Sequence, residues 1–197
     1  MLTARLEYQF GPAAPLSYLR TMQMESDPPP LQGLVITTQE WTLLEERDGL
    51  MIVGVREEVR ERSGPLTQAF QNPPAQRKVY LDGCGLMPKG NEEWAALSPF
   101  PMLSEDSLEE KAEWTCSEGV PNRSEPLDIT YLVEEFREEG DELVARLSSQ
   151  GADEQLEVQG RYAFSVSRGV LLHGQLKVVN RLPEGQTVSL LVDLKLV

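Results

Sequence analysis

The chain is poor in the side chains that do chemistry: one histidine and two cysteines among 197 residues, with no long apolar run. Nucleophilic catalysis needs a nucleophile, a base and usually an orienting group. His173 falls on the polar face of the segment that buries Leu172, Leu176 and Val178, so it is expected to face solvent. Cys84 and Cys116 lie about thirty residues apart without C-x-x-C spacing, which makes no zinc set and no disulfide framework. They read as small buried hydrophobes that would pair only in an exported protein. The loops G-x-x-x-x-G-K-[ST] and G-x-G-x-x-G are missing, and Gly83-Cys84-Gly85 reads as a turn or bulge after a strand. Glu134, Glu135, Glu138, Glu139, Asp141 and Glu142 lack the ordered spacing of a calcium loop and fit a solvated hairpin end. No residue is therefore assigned a catalytic, metal-binding or cofactor-binding role.

Thirty-two acidic against 18 basic residues give a net charge of −14. That field disfavours phosphate backbones, and aromatics interleaved with basic residues, the usual platform for single strands, are missing too. Nucleic acid is thus excluded as a partner. No segment approaches the ~20 apolar residues of a membrane span. Met1 leads straight into a strand, so the chain as written is expected in the cytoplasm, or outside it if a leader has been removed.

What the sequence has is alternation. Leu156, Val158, Gly160, Tyr162, Phe164 and Val166 alternate with Glu157, Gln159, Arg161, Ala163, Ser165 and Ser167. Val188, Leu190, Val192, Leu194 and Leu196 repeat the pattern to the C terminus. A period of two puts one set on each face of a strand, and one greasy face with one wet face means an antiparallel sheet. Tyr162, Phe164, Val188, Leu190, Val192 and Leu194 are expected on the inner face.

Earlier, Leu2, Ala4, Leu6, Tyr8 and Phe10 mark a first strand that Gly11-Pro12 breaks. Leu16, Tyr18, Met22 and Met24 share one face of a second, which ends at Asp27 and three prolines. Strands at about 34–44 and 50–59 flank Asp48-Gly49, a strong hairpin signal. A polar loop or crossover over 62–76 precedes a short strand at 79–81. The irregular stretch 83–104 carries Trp94, Leu97, Phe100 and Met102, which are expected to close one end of the core. Ser107 and Glu110 stand at capping-box spacing and suggest one helical turn over 104–111.

Beyond that turn, Ala112, Trp114 and Cys116 open a further strand. Leu127 to Val133 and Leu143 to Leu147 form a hairpin around Gly140-Asp141, and three strands follow at about 156–166, 170–179 and 186–197. The fold class is all-β: about ten or eleven antiparallel strands in a curved sheet, an open barrel or a two-sheet sandwich, with little helix. At this length the chain reads as a single β domain. Its halves, about 1–87 and 112–197, are alike in outline across the irregular 88–111, which fits either a duplication or independent hairpins.

Tyr8-x-Phe10 with Tyr18, Trp94 with Pro99-x-Pro101, Trp114, and Gly160-x-Tyr162-x-Phe164 together resemble a broad group of β-rich bacterial proteins, many exported or lipid-anchored. The likeness spans most of the chain. It departs in lacking a leader and in having Lys111-Ala112-Glu113 where a Gly-Asp pair often precedes the tryptophan. The resemblance implies a fold type and no activity.

The function expected is a non-catalytic binding module that holds an apolar or lipid-like ligand, or a partner segment, on its curved sheet, with Tyr18, Met22, Met24 and Met51 as the lining; the other reading of those methionines is that they simply fill the core. The alternative is an assembly or adaptor subunit that docks on a protein partner through a sheet edge or an acidic face. An enzyme of unfamiliar type stands third. A packed interior would oppose the first reading.

Overall fold

A computed structural model describes residues 2–11, 14–29, 31–69, 77–86, 99–120 and 125–197. After a short β1 (Thr3–Arg5), the chain enters the middle of a sheet with β2 (Leu16–Asp27) and meanders outward through β3 (Gln32–Arg47), β4 (Leu50–Ser63), β5 (Arg77–Asp82) and β6 (Gly85–Leu86). It then crosses to the opposite edge. There β7 (Ser107–Glu109) pairs with β1, and β8 (Glu113–Glu118) starts the return through β9 (Leu127–Glu139), β10 (Glu142–Ala152), β11 (Leu156–Ser165), β12 (Val170–Arg181) and β13 (Thr187–Leu196). The sheet order is β6-β5-β4-β3-β2-β13-β12-β11-β10-β9-β8. The eleven strands form one open, fully antiparallel sheet, so the curved-sheet expectation holds over the barrel and the sandwich.

Local sequence explains the register. Asp48 and Gly49 have φ of 52° and 80°, the two positive values of a type I′ turn whose twist suits a hairpin. The turn sets Arg47 opposite Leu50 and fixes which side chains of β3 and β4 face inward. Further along, Asp82 Oδ1 accepts bonds from the main-chain N–H groups of Cys84 (2.8 Å) and Gly85 (2.9 Å), which folds the β5–β6 turn. Pro28 follows Asp27 through a cis peptide bond where β2 ends.

One face of the sheet carries the core. Cross-strand rows such as Tyr162, Gly174, Leu194 and Arg20, or Val158, Val178, Leu190 and Met24, run through β11, β12, β13 and β2. The six inner-face residues expected from alternation all lie in this register; Tyr162, Phe164, Val192 and Leu194 are buried, and Val188 and Leu190 half-buried.

The chain's own irregular segments plug this face. Leu6, Tyr8, Phe10, Phe100 and Leu103 are buried on it, and Tyr8 Oη donates to the Pro101 carbonyl at 3.0 Å. Main-chain bonds run from Tyr8 N–H to Gly83 O, from Gln9 N–H to Gly169 O and from Leu103 N–H to Cys84 O. Close approach requires Gly174, where a methyl group would collide with the Pro99 carbonyl oxygen.

Two local expectations are corrected. Only Thr3–Arg5 of the first alternating run is a strand; Leu6, Tyr8 and Phe10 are buried as the alternation implies, but the main-chain N–H groups of Tyr8 and Gln9 donate to two separate turns. The helical turn over 104–111 is instead β7, whose Leu108 enters the core and pairs with Ala4, because tertiary pairing overrides the weak capping-box signal. Strand β4 also runs to Ser63, longer than expected, and a one-turn helix α1 (Leu66–Ala69) follows within the stretch read as loop. Phe100 is buried and Met102 packs against the core; Trp94 and Leu97 lie outside the described residues.

Candidate functional site

The inner face divides into an aromatic region, a charged band and an apolar floor. In the first, the ring centroids of Trp41 and Phe100 lie 4.7 Å apart, Tyr18 stands edge-on to both, and Phe10 stacks on Trp41 at 6.1 Å. Tyr18 Oη donates to the Leu171 carbonyl at 2.9 Å, so its hydroxyl is satisfied in the interior, and burial pushes its pKa far up. Tyr8 is shifted the same way, by burial first.

Next to the aromatics lies a buried ion pair. Arg20 meets Glu57 at 2.7 Å, both side chains almost wholly withdrawn from solvent, and Arg77 approaches the same carboxylate at 4.0 Å. Gln39 Nε2 donates to Glu57 at 3.0 Å, and Trp41 Nε1 donates to the Gln39 oxygen at 3.1 Å. The network thus ties the ion pair to the aromatic region. Burial lowers the Arg20 pKa, and the Glu57 carboxylate opposes that shift. A dry ion pair adds little net stability but is costly to break, so it locks side-chain placement more than it strengthens the fold.

Two residues further along β2 the surface turns apolar. Met22, Val35 and Val192 are buried together, with Leu66 of α1 and Leu190 packed against them. Met24, Leu190 and Val178 occupy one cross-strand row beyond and remain half-exposed, whereas Val158 at the far end of the row is buried. This leaves a strip of inner face that the described residues bury only in part, with Val178 packed against the main core.

The four residues expected to line a ligand site are split by this arrangement. Tyr18 and Met51 belong to the packed core with Trp41 and Val53; Met22 forms the floor, and Met24 its half-exposed rim. Sequence reading passed over Arg20, Gln39 and Glu57. The signal was present, because Arg20 sits at an inward position of Leu16-x-Tyr18-x-Arg20-x-Met22, and Glu57 at one of Val53-x-Val55-x-Glu57.

A second polar cluster lies toward the β8 edge. The Tyr131 hydroxyl donates to Glu118, Ser149 and Tyr162 share a hydrogen bond at 3.0 Å, and Trp114 stacks on Tyr131 while donating to Met102 O at 2.9 Å. Burial raises the Glu118 pKa, and the Tyr131 bond opposes it. Cys84 and Cys116 are free and partly buried, and burial raises both thiols, which makes them weak nucleophiles. His173 lies on the outer face, with Nε2 2.9 Å from Asp193 Oδ2. Comparison with protein-family models, curated proteins and solved structures finds no match for this chain.

Proposed function

We propose that the chain is a non-catalytic binding module that lays an apolar, lipid-like chain over the strip formed by Met22, Met24, Leu190 and Val178. What supports this is the half-exposed row itself, apolar across three neighbouring strands; the row on one side of it, Met22, Val192 and Leu176, is buried, and the row on the other, Ser26, Val188 and Asn180, is half-buried to exposed. Methionine adapts its shape to an occupant at little cost, which suits a site that accepts chains of varied curvature. The buried core is no part of this site, and Tyr18 and Met51 act as its foundation.

The test is titration with cis-parinaric acid, whose fluorescence rises in an apolar environment. Saturable uptake that oleate competes away is expected. Met24→Glu and Leu190→Glu should each abolish it, with the thermal midpoint nearly unchanged because both side chains already touch solvent. Absence of uptake by the parent chain overturns the reading.

One observation favours a docking subunit as the second reading. Among the described residues, β8 pairs with no strand on its outer side, and β5 pairs with Met51–Val55 of β4. A partner strand pairing at either edge would leave parinarate uptake unaffected.

A further inference from the structure

The outer face of the C-terminal half carries a hollow of about 380 Å³ lying across the strands. Two cross-strand rows build it. One runs Glu113, Leu132, Ser148, Arg161 and Gln175; the other runs Thr130, Gln150, Gln159, Lys177 and Leu191. The short side chains of Ser148 and Thr130 give it depth between longer neighbours.

Its charges are sorted by position. Glu113 and Glu134 stand at the β8–β9 end, whereas Arg161 and Lys177 stand on β11 and β12. Some charges nearby are paired, as in Arg146 with Glu139, Arg168 with Glu142 and Arg181 with Glu157. The four charged residues of the hollow form no ion pair among the described residues. Between the two ends lie Gln150 and Gln159, neutral amides that both donate and accept hydrogen bonds.

We propose that this hollow binds a short extended peptide with free termini, its ammonium group at Glu113 and Glu134 and its carboxylate at Arg161 and Lys177. The dimensions agree. Strands lie ~4.8 Å apart, so Glu134 and Arg161 are separated by about 10 Å across the sheet and Glu113 and Lys177 by about 19 Å. About three to six extended residues at ~3.3 Å each span that interval. The glutamine amides meet the peptide's own amides, and Leu132 and Leu191 offer apolar contact to side chains near its two ends. An arginine presents a fork that fits a carboxylate in two bonds, and lysine adds a point charge beside it. This site is independent of the inner strip.

The test is calorimetric titration of the full chain with tetraalanine in low salt. Binding is expected, and amidating the C terminus should weaken it about three- to fivefold, the scale of one exposed charge pair. Arg161→Gln combined with Lys177→Gln should weaken tetraalanine binding to a similar degree and make amidation without further effect. N-acetylation paired with Glu113→Gln and Glu134→Gln should behave in the same way at the other end. All four side chains project from the outer face, so the variants are expected to melt with the parent. No binding up to ~10 mM at low ionic strength, where exposed charge pairs are strongest, overturns the proposal. So does binding that end-capping leaves unchanged.

Discussion

The two parts of the inner face are made of the same strands and behave as opposites. Around Trp41 the sheet is roofed by the chain's own Tyr8, Phe10 and Phe100, each ring in contact with another, and Tyr18 spends its hydroxyl on Leu171. Around Met24 the same β2 presents a strip that is half-exposed and, among the described residues, has no such roof. Rigid aromatics with satisfied polar ends mark a region built to stay closed. A half-exposed, flexible thioether at Met24 marks one whose side chains can repack. The buried Arg20–Glu57 pair lies between them.

The largest effect is expected at the closed end. Trp41→Ala removes a buried indole and orphans the Gln39 oxygen that accepts from it, so denaturant unfolding should show a loss near the top of the range of about 3–5 kcal/mol. Glu57→Leu leaves Arg20 buried beside an apolar group and should cost about 3–4 kcal/mol in the same measurement. The double variant Arg20→Met, Glu57→Leu should recover most of that loss. A recovery of nothing would show that the pair does not act as a unit.

Gly174→Ala tests the roof from the opposite side. Its methyl group would press on the Pro99 carbonyl, and the overpacking should cost about 1–3 kcal/mol. Met24→Ala, in the open strip, should change stability by less than about 1 kcal/mol, since its side chain is already half in water. A loss as large as that of Trp41→Ala would erase the contrast.

The smallest effect is electrostatic. Glu118 has its pKa raised in the folded chain, so the folded state holds a proton that the unfolded state has already released. That contribution is present in full at low pH and declines as pH rises above 4.5 toward the folded value. Glu118→Gln should flatten the corresponding decline in thermal midpoint.

Strand positions and faces were legible because period-two patterns are local. Val188 to Leu196 and Leu156 to Phe164 carry their registers in their own residues. Asp48-Gly49 likewise announces its own turn. The fate of Leu6 to Phe10 was legible only as burial, because their hydrogen bonds go to Gly83 and Gly169, and nothing nearby in sequence encodes that choice. The same limit applies to the site. Residue type alone cannot separate Met51, locked in the core, from Met24 at the rim. Arg20 and Glu57 could have been found by asking which charges break an apolar register.

The pairing of β2 with β13 carries a consequence for how the molecule assembles. Every other contact in the large sheet joins strands consecutive in the chain, so each half can zip as a local meander. The central seam instead joins distant parts, pairing Asp27 with Thr187 at one end and Tyr18 with Leu196 at the other. Closing so long a loop is entropically unfavourable until both meanders exist. The seam is therefore expected to form after the transition state. Substitutions along it, such as Val192→Ala, should hasten unfolding and leave the refolding rate almost untouched in stopped-flow measurements. The lifetime of the native chain is then governed at its middle, where its beginning meets its end.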